Sequence, residues 1–240
     1  MRIGVFADLH GNLPALQVLL ARFRKEGVEK ILNLGDTTAL GPDTPEVIDT
    51  LASLPIPAVH LYGNHDLSVI GIETKQPELI RPLEKAQHAY VRSGLNKAHL
   101  DWIKNCREEW VQETEHGRIL AKHYATDKNR LYHPVQFDPT EDDLRRRFLP
   151  DNLHMILYGH HHAPLLIGHD PVFVNPGSAG CPHQRSGIAR AGILDTAKKE
   201  DAFMPFIETY DAEPVIERIY KSEDPTKLST LSIFFGVHIP

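Results

Sequence analysis

The sequence has very little cysteine. Cys106 and Cys181 are its only two, and they lie far apart in a chain of 240 residues. Small secreted domains are often held together by several disulfides, and two distant cysteines do not provide such a framework. We therefore expect a protein that folds with reduced thiols.

Long hydrophobic runs are also missing. No stretch approaches the roughly 18 consecutive apolar residues that indicate a membrane-spanning helix. The first segment, MRIGVFADLHGN, reaches an acid after only about five apolar residues, which is too short for the core of a secretory signal. These features predict a cytoplasmic protein without a membrane partner.

An excess of positive charge is absent as well. The chain has 26 Lys and Arg against 32 Asp and Glu, a formal net charge of −6. Binding to nucleic acid without regard to sequence requires a basic surface, so we do not expect it. A small phosphorylated substrate stays compatible with this charge. No change of composition marks a linker, so we predict a single domain over residues 1–240.

The first part of the chain alternates between two patterns. Short apolar runs at 2–7, 30–35 and 57–63 are typical of buried strands. Between them, helical spacing follows Asn12 and Thr44, which are suitable capping residues, each with a proline close behind. This β-α-β-α-β order predicts an α/β fold with a mostly parallel sheet.

The later part is less regular. Residues 71–117 are charged and helix-like, and we predict that they form a helical, cap-like insert packed on the body. Strands are expected at 118–123 and 154–159. Residues 202–220 suggest a hairpin with its turn at DAEP, and 221–240 form a tail of undetermined structure.

Metal-ligating residue types follow five of the apolar runs. In open α/β sheets a ligand binds beyond the carboxyl ends of the strands, so these side chains would converge there. Alternation at a strand end would place Asp8 with His10, and His160 with His162, leaving Leu9 and His161 on the other side. With His65 set aside, the candidates are Asp8, His10, Asp36, Asn64, His123, His160 and His162.

Carboxylates and imidazoles without cysteine favour zinc, iron, manganese or nickel. A single catalytic zinc usually takes three protein ligands. Seven candidates suit two divalent ions that share a carboxylate at a separation of roughly 3.5–4 Å, and such a pair activates water and polarises a phosphoryl group. The simpler interpretation of each block alone is turn chemistry, since Gly, Asn and Asp favour turns.

Taken together, the blocks resemble those of a known family. DLHGN, GDTTALGP, GNHD, a strand-end histidine and GHHHAP are similar, in the same order, to the five blocks of the calcineurin-like metallophosphoesterases. VNPGSAGCPHQR resembles a segment of their compact bacterial and archaeal branch. The resemblance covers residues 1–220 and implies a four-layer α/β/β/α sandwich, with two mixed sheets packed together and helices outside.

The resemblance also implies roles for the residues of the site. It assigns the first metal to Asp8, His10, Asp36 and His162. It assigns the second metal to Asp36, Asn64, His123 and His160, so that Asp36 bridges. His65 would be a general acid toward a leaving-group or phosphoryl oxygen. Asp66 would orient His65.

Two segments depart from the family pattern. HYATD places Tyr124 where the branch usually has glycine, which affects how substrate fits. CPHQR contains His183 before Arg185, and whether Arg185 takes the place of the family's arginine is open. These three residues are candidates for substrate contact. Cys181, in the same segment, is expected to be structural.

The function that the resemblance implies is hydrolysis of a phosphomonoester or phosphodiester by direct attack of a hydroxide that bridges two metals. The insert favours a small molecule or nucleotide over a protein as substrate. Dinucleoside polyphosphate hydrolase and protein phosphatase activities fit the same core. The competing hypothesis is a non-catalytic scaffold on this fold, such as the retromer scaffold subunit. Such proteins tend to lack part of the ligand set, whereas this chain has all of it. Substrate, metal identity and oligomeric state stay open at this level.

Overall fold

A computed structural model of the chain describes residues 1–75, 79 and 81–237. Part of the predicted insert (76–78 and 80) and the end of the predicted tail (238–240) lie outside the described residues. The strands are β1 (Arg2–Phe6), β2 (Lys30–Asn33), β3 (Ala58–His60), β4 (Glu109–Thr114), β5 (Gly117–Lys122), β6 (Leu153–Leu157), β7 (Leu165–Ile167), β8 (Val172–Asn175), β9 (Ile188–Asp195) and β10 (Phe203–Thr209). The helices are α1 (Leu13–Lys25), α2 (Thr44–Ala52), α3 (Asn64–Val69), α4 (Pro82–Ser93), α5 (Lys97–Asn105), α6 (Glu141–Phe148), α7 (Glu213–Lys221) and α8 (Lys227–Phe235).

These strands form two five-stranded mixed sheets. The first has the order β10-β9-β1-β2-β3, with β1, β2 and β3 parallel and β9 antiparallel to β1. The second has the order β4-β5-β6-β8-β7, with β5, β6 and β8 parallel and the two edge strands antiparallel. The parallel strands of each sheet therefore end at a common edge.

The two sheets pack face to face. Ile3, Val5 and Leu32 of the first sheet share one core with Met155 and Leu157 of the second. Burying each such side chain contributes roughly 1.5–3 kcal/mol relative to leaving it in water. This inner core aligns the edges of the two sheets.

Helices cover the outer faces. Leu16, Leu19 and Phe23 of α1 pack on the first sheet beside Phe6, and α6 packs on the second sheet through Leu144. These four layers confirm the predicted α/β/β/α sandwich. Gly4 illustrates how close the layers are, because a Cβ there would lie 2.8 Å from the Phe23 ring.

Caps set where the helices begin. The Asn12 side chain accepts a hydrogen bond from the Ala15 backbone N–H at 3.1 Å, with Pro14 in the first turn of α1. That is the cap predicted from the sequence. Because α1 begins directly after the DLHG segment, the cap also limits the length of the loop after β1.

Two predictions about the irregular part were wrong. Residues 109–114 of the predicted helical insert form β4, because Trp110 is buried while its neighbours alternate outward against β5. The hairpin expected over 202–220 is a strand followed by helix α7. Val215 and Ile219 are buried one helical turn apart there, a spacing that favours a helix. The expected tail contains α8. Among the described residues, none of the helices has the length and apolar character needed to cross a bilayer.

Candidate metal centre

The candidate ligands lie in tight loops just beyond the carboxyl ends of the strands. β1 ends at Phe6 and β6 ends at Leu157, so the residues that follow are no longer strand. Five candidates have left-handed backbone: Asp8 (φ 54°), His10 (50°), Asp36 (52°), His160 (71°) and His162 (58°). Such conformations are uncommon outside glycine and cluster at functional sites. The expected strand alternation is therefore not what separates His160 and His162 from His161.

One group consists of Asp8, His10 and His162, whose ligand atoms all lie within 4.8 Å of one another. The Nε2 atoms of His10 and His162 are 3.1 Å apart, and His162 Nε2 is 3.9 Å from an Asp8 oxygen. His10 Nδ1 contacts the Thr38 carbonyl at 3.0 Å, and His162 Nδ1 contacts that of Cys181 at 2.7 Å. A carbonyl can only accept, so each Nδ1 carries hydrogen and each Nε2 presents a lone pair.

The second group consists of Asp36, His123 and His160, again within 4.8 Å of one another. His123 Nε2 lies 3.3 Å from Asp36 Oδ2 and 3.3 Å from Asn64 Oδ1, while its Nδ1 donates to the Leu34 carbonyl at 2.9 Å. Asp36 Oδ2 is also 3.9 Å from His10 Nε2. Asp36 therefore lies between the two groups.

Neighbouring backbone holds the carboxylates in place. Both oxygens of Asp8 accept from the His160 backbone N–H at 3.0 Å, and Asp36 Oδ1 accepts from the His65 N–H at 2.8 Å. Gly63 makes this approach possible, since a Cβ at that position would lie 2.1 Å from Asp36 Oδ1.

Burial controls the protonation of this centre. Loss of solvation raises the pKa of Asp8 to about 6, and it lowers the pKa of His10 and of His162 to about 4. Burial would also raise the pKa of Asp36, but the neighbouring His123 and His65 hold it well below its usual range. For His123 burial opposes protonation, yet the Asp36 carboxylate raises the pKa to about 9.

This donor set fits a pair of divalent cations. The facing Nε2 lone pairs of His10 and His162 cannot hydrogen-bond to each other while both are neutral, and a cation between them satisfies both. The buried carboxylates require compensation by positive charge. Imidazole and carboxylate ligands together suit manganese, iron, nickel or zinc.

His65 and Asp66 begin helix α3 beside these groups. The His65 ring meets His10 edge to face, with centroids 5.1 Å apart. The resemblance implied that Asp66 orients this ring, but the Asp66 carboxylate makes no hydrogen bond to it. It accepts from the backbone N–H groups of Thr37, Thr38 and Gly63 at 3.2, 3.0 and 2.9 Å. Asp66 therefore ties the loop after β2 to the loop after β3.

The residue that hydrogen-bonds to the His65 ring lies on α4, within the predicted insert. His65 Nδ1 lies 2.9 Å from His88 Nε2 on α4. Sequence reasoning missed His88, although Glu84 and His88 are spaced one helical turn apart and so lie on one face. That spacing was the available signal.

His161 belongs to neither group. It is only 5% exposed, and its ring packs against Tyr124 and Tyr158 with centroids 4.7 and 5.6 Å away. His161 is therefore not exposed to solvent. It is part of the aromatic core on the outer face of the second sheet.

The three candidates for substrate contact have different surroundings. Tyr124 is fully buried and stacks on the His160 ring at 4.9 Å, so it supports that ring from behind and does not face solvent. His183 is exposed and lies 5.4 Å from the His162 ring. Arg185 is exposed on the same loop. The Cys181 thiol is buried, which raises its pKa well above the usual range.

A cleft of about 520 Å³ opens over the two groups and is lined by His65, His160 and His162. Its outer walls come from elsewhere in the chain. Leu83 belongs to α4, and Ile233 and Phe234 belong to α8. Helix α8 lies in the tail 221–240, whose structure the sequence does not determine, so its contribution to the cleft comes from the structure alone.

The fold and the site define a phosphoesterase class, and comparison with known proteins identifies it. Residues 1–199 match the family model of the calcineurin-like phosphoesterase superfamily domain. The chain belongs to this family, whose members are dimetal-dependent and act on phosphorylated substrates. It is a metallophosphoesterase, as the resemblance of its blocks implied.

Several known proteins are similar to this chain over most of its length. An uncharacterised protein of Methanocaldococcus jannaschii is 25% identical over 98% of both chains. A phosphodiesterase of the same organism is 26% identical over 83% of this chain and 96% of its own. The crystal structure of a hypothetical protein from Pyrococcus horikoshii superposes with a TM-score of 0.80 at 21% identity, covering 99% of each chain. That last likeness concerns the fold.

Proposed function

We propose that this chain hydrolyses a phosphomonoester or phosphodiester of a small molecule or nucleotide at the two adjacent ligand groups. The observation that carries the proposal is Asp36. Its carboxylate reaches His123 at 3.3 Å and His10 at 3.9 Å, and thus joins one group to the other. A carboxylate shared by two ligand groups suits two ions held close together, as in two-metal phosphatase sites.

In this proposal each ion takes four protein ligands. The first ion would be held by Asp8, His10, Asp36 and His162. The second would be held by Asp36, Asn64, His123 and His160. Manganese, iron, zinc and nickel all suit this set. When bound, the two ions would activate water and neutralise charge on the phosphoryl group.

His65 would assist departure of the leaving group. It lines the cleft beside both groups, and its backbone is fixed by the hydrogen bond to Asp36. Burial lowers its pKa well below the usual range. A neutral imidazole can still donate an N–H, so His65 would stabilise the oxygen on which negative charge develops.

The cleft favours a small substrate. Its apolar walls, including Leu83 and Phe234, fit the organic part of an ester, whereas His160 and His162 line the inner end. A folded protein would have to approach past α4 and α8. This geometry favours a nucleotide or another small ester over a phosphoprotein. It is compatible with dinucleoside polyphosphates.

The competing proposal is a scaffold without catalysis. The two functions differ in what they require, since a scaffold needs no ions at this centre. Complete ligand groups, with His65 beside them, support the enzyme.

The test uses protein made without a histidine tag and loaded separately with Mn²⁺, Fe²⁺, Ni²⁺ or Zn²⁺. Elemental analysis should find two ions per chain, and p-nitrophenyl phosphate or bis-p-nitrophenyl phosphate should be hydrolysed. Replacing exposed His169 with alanine provides a control that should behave as wild type. If the protein binds no ions and hydrolyses neither ester, the result would favour the scaffold.

A further inference from the structure

The insert places one more histidine beside the centre. His88 on α4 is buried, and its Nε2 lies 2.9 Å from Nδ1 of His65. The two rings meet at 66° with centroids 5.0 Å apart. This is an ordinary hydrogen-bond distance between ring nitrogens, with one nitrogen donating and the other accepting.

Helix α4 is held firmly at this position. Gln87, next to His88, is buried and donates to Asp224 at 3.1 Å, in the segment between α7 and α8, and it also contacts Thr226. One turn later, Val91 packs in a core with Ile103. His88 is thus fixed by burial and hydrogen bonds on the helix that bears it.

The contact controls the orientation of His65. Within the described part of the chain, the hydrogen bond through Nδ1 is the one that the His65 ring makes. Nε2 of His65 is left for the cleft that the residue lines. A neutral His65 that donates from Nε2 must accept at Nδ1, so His88 Nε2 would carry the shared hydrogen. The bond then restricts rotation of the His65 imidazole and selects its donating tautomer, and orientation is what a hydrogen-bond donor needs.

We propose that His88 is a positioning residue for His65, so that the insert completes the reaction centre and does more than cover it. The proposal rests on the role proposed for His65. Loss of the hydrogen-bond partner behind a metal-ligating histidine typically costs about 10–100-fold in metal affinity or activity, and we expect an effect of that order on activity for the partner of His65.

A third metal ion is the alternative for this cluster, because ligand atoms of His65, Glu84 and His88 lie within 4.8 Å of one another. Two observations favour the hydrogen bond. The Glu84 carboxylate already pairs with Lys75 Nζ at 2.6 Å. The two ring nitrogens also lie at hydrogen-bonding distance.

The first test does not depend on activity. Nitrogen NMR of ¹⁵N-histidine-labelled protein, with His65 assigned by its loss in His65→Ala, reports which ring nitrogen carries hydrogen. Wild type should show one tautomer of His65, and His88→Ala should show an averaged mixture. Unchanged His65 resonances in His88→Ala would overturn the proposal. His99→Ala is the control, because it removes a histidine that binds Asp49 from the other insert helix.

The second test is a double-mutant cycle on phenyl phosphate, whose leaving group needs assistance. His88→Ala should lower kcat about 10–100-fold with two ions still bound. The same change in a His65→Ala background should have little effect, because the residue through which it acts is gone. An equal loss in both backgrounds would show a merely structural role and overturn the proposal.

His88→Gln supplies a rescue, since its amide can occupy the region of the imidazole Nε2. His88→Gln should recover part of the lost rate. The loss of kcat in His88→Ala should be smaller on p-nitrophenyl phosphate, because its p-nitrophenolate group leaves unaided. Three ions in wild type and two in His88→Ala would instead show a metal site and overturn the proposal. If His65→Ala alone is fully active, the role proposed for His65 fails, whereas the NMR result still reports on the contact.

Discussion

Two regions of the molecule are built differently: the edge at which the parallel strands of both sheets end, and the cover formed over it by α4 and α8. At the edge, Asp8, His10 and His123 are fully buried in short loops whose backbone is hydrogen-bonded on both sides. On the cover, Leu83 of α4 is 48% exposed and Ile233 of α8 is 47% exposed. The edge has little freedom to change without loss of the ligands. The cover can change its side chains at small cost, and it is therefore the region in which substrate choice can vary.

The largest effect should come from the residue that joins the two groups at the edge. Asp36→Asn removes the charge shared between the ions and should lower kcat by about 10³-fold or more, because metal ions supply several kcal/mol of stabilisation. Elemental analysis of the purified variant should find fewer than two ions per chain. Wild-type metal content and wild-type kcat in this variant would contradict the proposed bridging role.

The contact between the first sheet and helix α5 should make the stability of the fold sensitive to acid. His60 at the end of β3 packs against Trp102 of α5 with centroids 4.9 Å apart, and burial lowers its pKa to about 4. As pH falls below about 6.5, the unfolded chain gains a proton at His60 that the folded protein does not bind, so stability falls until about pH 4. The loss is about 1.4 kcal/mol per pH unit, or about 3 kcal/mol in total.

His60→Leu should remove the part of the acid-dependent loss of stability that comes from His60. Denaturant unfolding at several pH values should show the free energy of unfolding of the variant falling less steeply between pH 6.5 and 4 than that of wild type. Parallel curves for the two proteins would show that His60 does not contribute.

The contrast between the regions also explains what sequence reasoning could reach. Ligands such as Asp36 and His160 follow their strands within three residues, so a strand pattern plus a glycine located them. The acceptor groups that orient the ligands His123 and His162, the carbonyls of Leu34 and Cys181, belong to the backbone and carry no residue signal. The cover could not be reached in the same way. The position of His88 over His65 depends on how α4 docks against the segment that contains Asp224, a contact between distant parts of the chain.

The prediction of secondary structure failed where a helical and a strand periodicity compete. Trp110 lies within the predicted helical insert, yet it is the buried member of an alternating strand. Val215 and Ile219 lie directly after DAEP, the predicted turn of the hairpin expected over 202–220. Packing against α8 favours helix α7 here, because the Val215 and Ile219 side chains join Leu231 in one cluster.

A smaller effect should separate His161 from its neighbours at the edge. His161→Ala removes a buried ring from the cluster with Tyr124 and Tyr158 and should cost about 2 kcal/mol of stability, with two ions retained. His162→Ala should instead lose metal and activity. Thermal unfolding and elemental analysis of the two variants decide this. If His161→Ala loses an ion while keeping its stability, the division between ligand and core residue is wrong.

The smallest effect should come from the cover itself. Ile233→Ser removes apolar surface from the cleft wall and should raise KM for bis-p-nitrophenyl phosphate about five-fold, which corresponds to about 1 kcal/mol of lost burial. KM for methyl p-nitrophenyl phosphate, which has the same leaving group and a smaller second substituent, should change less, and kcat should be unchanged for both. Leu228→Ser on the same helix is the control, because Leu228 is exposed and does not line the cleft. Equal changes in KM for the two diesters would show that Ile233 does not contact the organic group. A change in kcat alone would place the effect at the edge of the sheets, where the ligands lie.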